Sequence, residues 1–156
     1  MMSFKNDFRK EREKHIRAAQ EVVKLAAIEM VNFVITFSAV GNPEELWKTK
    51  KAPKGYVGGR FRSNWFLTKS KPSVKVNYDF DSIRSEGAII QEYSARILGE
   101  YAEKWILTNN LDYAKPIDNG TASTQNPNGV TAPARLHVNS KIPELTRIAN
   151  QKYGIS

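Results

Sequence analysis

Asp79, Asp81 and Glu86 form the one tight acidic cluster in the chain. Carboxylates grouped in this way can hold magnesium for a nuclease. Here Asp79 falls on the polar face of an expected strand and Asp81 sits where a helix N-cap is expected. Capping therefore accounts for the cluster without a metal. Of the two histidines, His15 lies on the charged start of an expected helix and His137 lies beyond a long loop. Neither has the HxxxH, HExxH or acidic-neighbour spacing that suits zinc. The sequence contains no GxxxxGK[ST], GxSxG or GxGxxG, and Gly58-Gly59 precedes an expected strand, the wrong context for a phosphate-binding helix start. The expectation is a non-enzyme with no catalytic residue, no metal and no cofactor.

Charge is the stronger signal. Lys48, Lys50, Lys51, Lys54, Arg60, Arg62, Lys69, Lys71 and Lys75 follow one another from Leu46 to Tyr78 without an acidic residue. A run of this kind can meet phosphates. The interleaved Tyr56, Phe61, Trp65 and Phe66 resemble the stacking platforms of single-strand binders. However, Phe61 and Trp65 share the strand face expected to be buried, so core aromatics with a basic rim is the favoured reading. The net charge of +8 favours contact with a polyanion without dictating a fold.

The elements that position these residues follow from periodicity. Asp7 to Phe37 reads as one long helix, because Ile16, Ala19, Val23, Ala26, Met30, Phe33 and Phe37 alternate steps of three and four. Val22, Ala27, Val31 and Val34 widen its apolar face. Core packing is the favoured reading of this seam; because such a helix outruns a small domain, Ile16, Val23 and Met30 are the candidates for contact with a neighbouring subunit. Gly41, Asn42 and Pro43 stop it, with Asn42 as N-cap of a short turn to Trp47. Arg60 to Thr68 reads as a strand exposing Phe61, Ser63, Trp65 and Leu67 to one side. Val74, Val76, Tyr78 and Phe80 alternate with Lys75, Asn77 and Asp79 as its hairpin partner. Ser82 to Leu98 is helical with Ile90, Tyr93 and Ile97 on one face, and Gly99 terminates it. Lys104 to Thr108 is a short strand, Asn109-Asn110 a turn, and Tyr113 to Asn119 a helical turn closed by Gly120. Thr121 to Pro133 is a Gly- and Pro-containing loop of the mobile kind. Ile142 to Lys152 is the last helix, with Pro143 tolerated in its first turn.

The chain has 156 residues, 40% of them hydrophobic and 26% charged, which suits one domain with a single core. No apolar run approaches a membrane span, and Met1 to Asp7 is polar, unlike a secretory signal. The absence of cysteine rules out disulfides and thiolate chemistry. The expected fold is α+β, a long N-terminal helix packed on a small, mainly antiparallel sheet with two further helices. One domain spans 1–156, divided into a long helix (1–41), a basic loop (46–60), a sheet-and-helix core (61–120), an extended loop (121–133) and a C-terminal helix (142–152).

Ordered blocks within this frame resemble a known family. Tyr56-Val57-Gly58-Gly59-Arg60-Phe61-Arg62-Ser63-Asn64-Trp65 is similar to the P-V-D-T-G-R-L-R-x-S/N-W segment of neck and tail-completion (head–tail joining) proteins of long-tailed bacteriophages. That broad group contains the lambda minor tail protein Z. Leu107-Thr108-Asn109-Asn110-Leu111-Asp112-Tyr113-Ala114 resembles I-x-N-N-x-P-Y-A. Ile117-Asp118-Asn119-Gly120 resembles L-E-x-G, and Ser123 to Val130, with Pro127 and Gly129, resembles S-x-Q-A-P-x-G-M. The chain departs from the pattern at Val57-Gly58-Gly59, where the Asp-Thr pair is missing, and at Asp118, where glutamate is usual.

The resemblance implies a virion structural protein that forms a ring with copies of itself and docks to adjacent neck and tail-tube proteins. It would act in tail completion, head–tail joining or tail termination, after assembly in the host cytoplasm, with no membrane partner. The residues it implies as structural are Gly59, Arg60, Trp65, Asn109, Asn110, Tyr113, Ala114, Asp118, Gly120, Pro127 and Gly129. The basic loop of Lys48, Lys50, Lys51, Lys54, Arg60 and Arg62 would face packaged DNA in the channel or an acidic partner. A free nucleic-acid-binding module using the basic 48–75 stretch is the alternative.

Overall fold

The computed structural model describes residues 3–156; Met1 and Met2, part of the polar start, lie outside the described residues. It has the α+β class expected, with a long N-terminal helix, a two-stranded antiparallel sheet and further helices. Helix α1 runs Phe4–Phe37, opened by Ser3, whose side chain accepts from the Lys5 N–H. A 3-10 turn follows at Glu44–Leu46, capped from Pro43, one residue later than the Asn42 cap expected. No described helix is long and apolar enough to cross a membrane.

The basic stretch folds differently from the strand expected. Gly59 adopts φ +80° and starts a single helical turn, α2 (Arg60–Ser63), so the chain curls where a strand was anticipated. Strand β1 is only Phe66–Lys69. Phe61, Ser63, Trp65 and Leu67 are nonetheless all buried. The expected hairpin with residues 74–80 does not form. Strand β1 pairs antiparallel with β2 (Trp105–Thr108), Phe66 opposite Thr108 and Lys69 opposite Trp105. Between them lie an extended segment over residues 73–79, a 3-10 turn at Phe80–Ser82 and helix α3 (Glu86–Gly99). Ser85, not Asp81, caps α3, accepting from the Ala88 N–H. Its buried face is Ile89, Tyr93 and Ile97, so Ile89 takes the core position expected of the half-buried Ile90.

Helix α4 (Ala114–Asp118) ends near Gly120, and α5 (Thr131–Lys152) closes the chain. Helix α5 begins eleven residues earlier than the sequence suggested. Pro143 is therefore inside the helix and withholds one backbone donor from its ladder. Helix α1 lies chiefly against α5 and α3. The core holds Ala27, Val31, Val34 and Ile35 of α1 with Phe61, Trp65, Ile89, Ile97, Trp105, Ile117 and Val130. The face buried is thus the widening set, turned about one position from the 3.5-residue seam. Ile16 and Phe37 of that seam are exposed.

Candidate functional site

The residues marked by the resemblance are dispersed in sequence and become a connected frame in space. Gly59 donates its N–H to the Val40 carbonyl at 3.0 Å, tying the start of α2 to the exit of α1. Arg60 donates to the carbonyls of Gly55 (2.8 Å) and Tyr78 (2.7 Å), while its guanidinium lies 5.9 Å from the centre of the Tyr78 ring. The Trp65 indole N–H donates to the buried Ser38 Oγ at 2.8 Å, fixing the end of α1. Asn109 Nδ2 donates to the Phe61 carbonyl, and Asn110 Nδ2 donates to those of Ser73 and Lys75. Neither asparagine is left-handed; the non-glycine residues with positive φ are Lys50 and Ser70 among the described residues. The pair serves as side-chain staples instead of the turn expected.

Tyr113 packs edge-on against Tyr56 at 5.4 Å, and Tyr56 packs on Trp47 at 4.5 Å. Both phenol oxygens are buried without a hydrogen-bond partner among the described residues. Burial pushes the Tyr113 phenol up to about 12 and raises Tyr56 further. Ala114 is buried beside them.

Asp118 holds the far end of the frame. Its Oδ1 accepts from the N–H groups of Val130 (3.1 Å) and Thr131 (2.8 Å), and its Oδ2 accepts from Thr131 Oγ1 at 2.7 Å. Asp118 therefore caps α5 from outside that helix, placing an anion where unpaired N–H groups collect. Gly120 and Gly129 make the close approach this requires. Both have positive φ, and a methyl added at Gly129 would lie 1.6 Å from the Asp118 carbonyl oxygen. The Pro127 carbonyl fills the equivalent space beside Gly120.

The loop between Gly120 and α5, expected to be mobile, is fastened to its own chain. Thr124 N–H donates to the Leu46 carbonyl at 2.7 Å and Lys48 N–H to that of Ala122 at 2.9 Å. Trp47 and Ser123 form an antiparallel bridge. Asn126 Nδ2 reaches the Phe37 carbonyl, and Gln125 accepts from the Val40 N–H. Ser123 and Asn126 are buried.

The basic candidates divide into two groups. Arg60 is used as above, Arg62 bonds the Thr36 carbonyl and faces Glu86 at 3.3 Å, and Lys48 Nζ donates to the Gly120 carbonyl. Lys50, Lys51 and Lys54 remain exposed on the loop. Tyr56, Phe61 and Trp65 are buried and offer no free stacking faces. Asp79, Asp81 and Glu86 do not converge, and no group of three His, Asp or Glu able to hold a metal occurs among the described residues. His137 Nε2 lies 2.9 Å from Glu29 and its ring stacks on Phe33; His15 is exposed on α1.

Two features bear on assembly. Val23 and Met30 line an apolar groove of about 440 Å³ between α1, α5 and β2, with Ala26, Trp65, Trp105, Leu107 and Val138. At the other end of α1 every residue from Phe4 to Arg12 is exposed, with Phe4 at 86% and Phe8 at 65%. Ile16 lies on this arm, apart from Val23 and Met30. The i, i+4 spacing of Phe4 and Phe8 places them on one face; the charged residues around them obscured that signal in the sequence. Compared with known proteins, the chain matches no family model, no curated protein and no solved structure.

Proposed function

We propose that this chain is a non-enzymatic structural subunit of a tailed-phage virion. Its place is the neck or tail terminus, where it acts as a tail-completion, head–tail joining or terminator ring subunit. The observation that carries the reading is that one chain has both an exposed aromatic arm, with Phe4 and Phe8, and a largely apolar groove lined by Val23 and Met30. Helix α1 has 34 residues, about 51 Å at 1.5 Å each, whereas a globule of this length is roughly 40 Å across. Its exposed Phe4 and Phe8 would enter the groove at Val23, Met30 and Trp105 of the next copy. That contact is head to tail, and a ring closes it.

The motif residues support the same reading, because they are spent on bracing loops and helix ends and none converges on a reaction centre. Lys50, Lys51 and Lys54 are the cations left to face packaged DNA or an acidic neighbouring protein. A free nucleic-acid-binding module would also use those lysines. Against it stand the internal engagement of Arg60, Arg62 and Lys48 and the burial of Tyr56, Phe61 and Trp65. The test is electron microscopy of a lysate made with this gene interrupted. Full heads beside unattached tails, or tails of irregular length, are expected. Normal infectious particles would remove the structural reading.

A further inference from the structure

Residues 73–79 belong to no helix or strand of the chain, and the hydrogen-bonded backbone groups of Ser73, Lys75 and Asn77 alternate with those of Val74 and Val76 in the period-two manner of a strand. On the inner edge each group is taken by a side chain. The Ser73 N–H donates to Thr108 Oγ1 (3.3 Å) and its carbonyl accepts from Asn110 Nδ2 (2.8 Å). The Lys75 N–H donates to Ser73 Oγ (3.1 Å) and its carbonyl accepts from Asn110 Nδ2 (2.9 Å). The Asn77 N–H donates to Asn64 Oδ1 (2.7 Å) and its carbonyl accepts from Asn64 Nδ2 (2.8 Å). Two asparagine amides and two hydroxyls thus substitute for a neighbouring strand and hold the backbone in strand geometry.

The outer edge is open. The N–H and C=O of Val74 and Val76 have no partner among the described residues, and the Tyr78 carbonyl accepts only from Arg60. The side chains of Val74 (92% exposed), Val76 (42%) and Tyr78 face solvent together, while Lys75 and Asn77 line a cleft against α3. Natural sheets blunt such an edge with a proline, a bulge, a charge or a cover; residues 74–78 have Lys75, which lines the cleft toward α3, and Arg60 at Tyr78, but no proline and, among the described residues, nothing bonded to the backbone of Val74 or Val76.

We propose that this edge pairs with the same segment of a second copy, antiparallel about Val76. Antiparallel pairing needs residues with outward groups opposite one another. Centring on Val76 sets Val76 against its equivalent and Val74 against Tyr78, so the free groups of Val74 and Val76 meet partners at once, the Tyr78 carbonyl taking the Val74 N–H on the lone pair that Arg60 leaves. The apolar face becomes continuous across the twofold axis, and cross-strand pairs of this type stabilise a sheet. On the other face Lys75 comes opposite Asn77 and diagonal to Asp79. Neither Lys75 nor Asp79 has an ion-pair partner among the described residues, so the second copy supplies to each the opposite charge its own chain does not. This contact is separate from the head-to-tail contact of a ring and does not rest on the neck reading.

Cysteine placement tests the register, because the natural chain has none. In the proposed dimer the two Val76 Cα atoms lie about 5.5 Å apart, within disulfide reach of roughly 4.4–6.8 Å. The two Val74 positions are offset by four residues, about 13 Å. Under mild oxidation the purified V76C chain should form a covalent dimer at least about tenfold faster than V74C, although residue 74 is the more exposed. The wild-type chain should sediment as a concentration-dependent dimer, with the Val74 and Val76 amides protected from exchange in step with dimer. V76P removes only an N–H without an internal partner, so it should keep the circular dichroism of wild type and sediment as a monomer. Equal cross-linking of V74C and V76C, or none of either, would overturn the pairing. So would a wild-type monomer whose edge amides gain protection only with a foreign strand.

Discussion

Replacing Asp118 with alanine tests whether the frame holds α5 in place. The carboxylate accepts from two backbone N–H groups and one hydroxyl at the first turn of that helix. Val130 is fully buried, so its N–H finds little water once the acceptor is gone, a loss of about 1–3 kcal/mol. Thr131 is exposed and rehydrates, so its share is nearer the ordinary cap value of about 0.5–1 kcal/mol. The anion at the helix N-terminus adds roughly 0.3–1 kcal/mol. These come to about 3 kcal/mol for Asp118→Ala, which for a chain of this length lowers Tm by roughly 6–12 °C. Asp118→Asn keeps an acceptor and loses the charge, so it should cost about 1 kcal/mol. Urea and thermal unfolding followed by circular dichroism give both values. A D118A chain within about 0.5 kcal/mol of wild type, or a D118N chain as damaged as D118A, would refute the capping role.

The glycine at 129 and the tyrosine at 113 give further tests. Gly129→Ala puts a methyl group against the Asp118 carbonyl at a positive φ, so it should unfold the chain or lower its stability by more than about 4 kcal/mol. Gly87→Ala, in α3 with open space around it, should raise stability by roughly 0.5–1 kcal/mol; both are read from the urea midpoint. The Tyr113 phenol ionises near 12 in the folded chain and near 10 unfolded. The folded state therefore holds the extra proton between those values, and stability present below pH 10 falls as pH rises toward 12, by about 3 kcal/mol for this group. Tyr113→Phe should soften that alkaline loss and, by removing a buried hydroxyl without a partner, leave neutral-pH stability unchanged or slightly higher. A steeper alkaline loss in the variant would contradict the burial argument.

Local chemistry made part of this fold legible. The long helix, the helix ending at Gly99, the strand before Asn109 and the turn closed by Gly120 were all readable, because each has a regular apolar period or a breaker at its end. The misreadings have physical causes. Alternation at 61, 63, 65 and 67 correctly marked the buried residues, but the left-handed Gly59 winds the first of them into a helical turn. Alternation at 74–80 suggested a hairpin partner for β1, but that place is taken by Trp105–Thr108, residues 73–77 are held by side chains instead of a strand, and Phe80 already belongs to a 3-10 turn. The loop after Gly120 has the composition of a mobile segment because Ser, Thr, Gln and Asn are used there as inward staples. Pro143 looked like a helix start because the mid-helix position it occupies is unusual. Among the candidate site residues, Gly59, Arg60, Trp65, Asn109, Asn110 and Asp118 make contacts within the chain, with partners that the motif spacing does not name. The division of the cations into Arg60, Arg62 and Lys48 on one side and Lys50, Lys51 and Lys54 on the other was not legible, since it depends on which carbonyls lie nearby.

The clasp between Trp47 and Ser123 sets an order of events when the chain folds. It joins residues far apart in sequence, and closing so long an intervening chain has an entropic cost that nearby contacts do not carry. Local helix in α1 and α3 can form early, whereas the clasp, like the packing of α1 on α5, closes only across a long stretch of chain. Both of its residues are buried, and its neighbours bond the end of α1, so the end of α1 and the approach to α5 are held to one another. The exit of α1 and the loop into α5 thus behave as one fastened piece, although about half the chain lies between them.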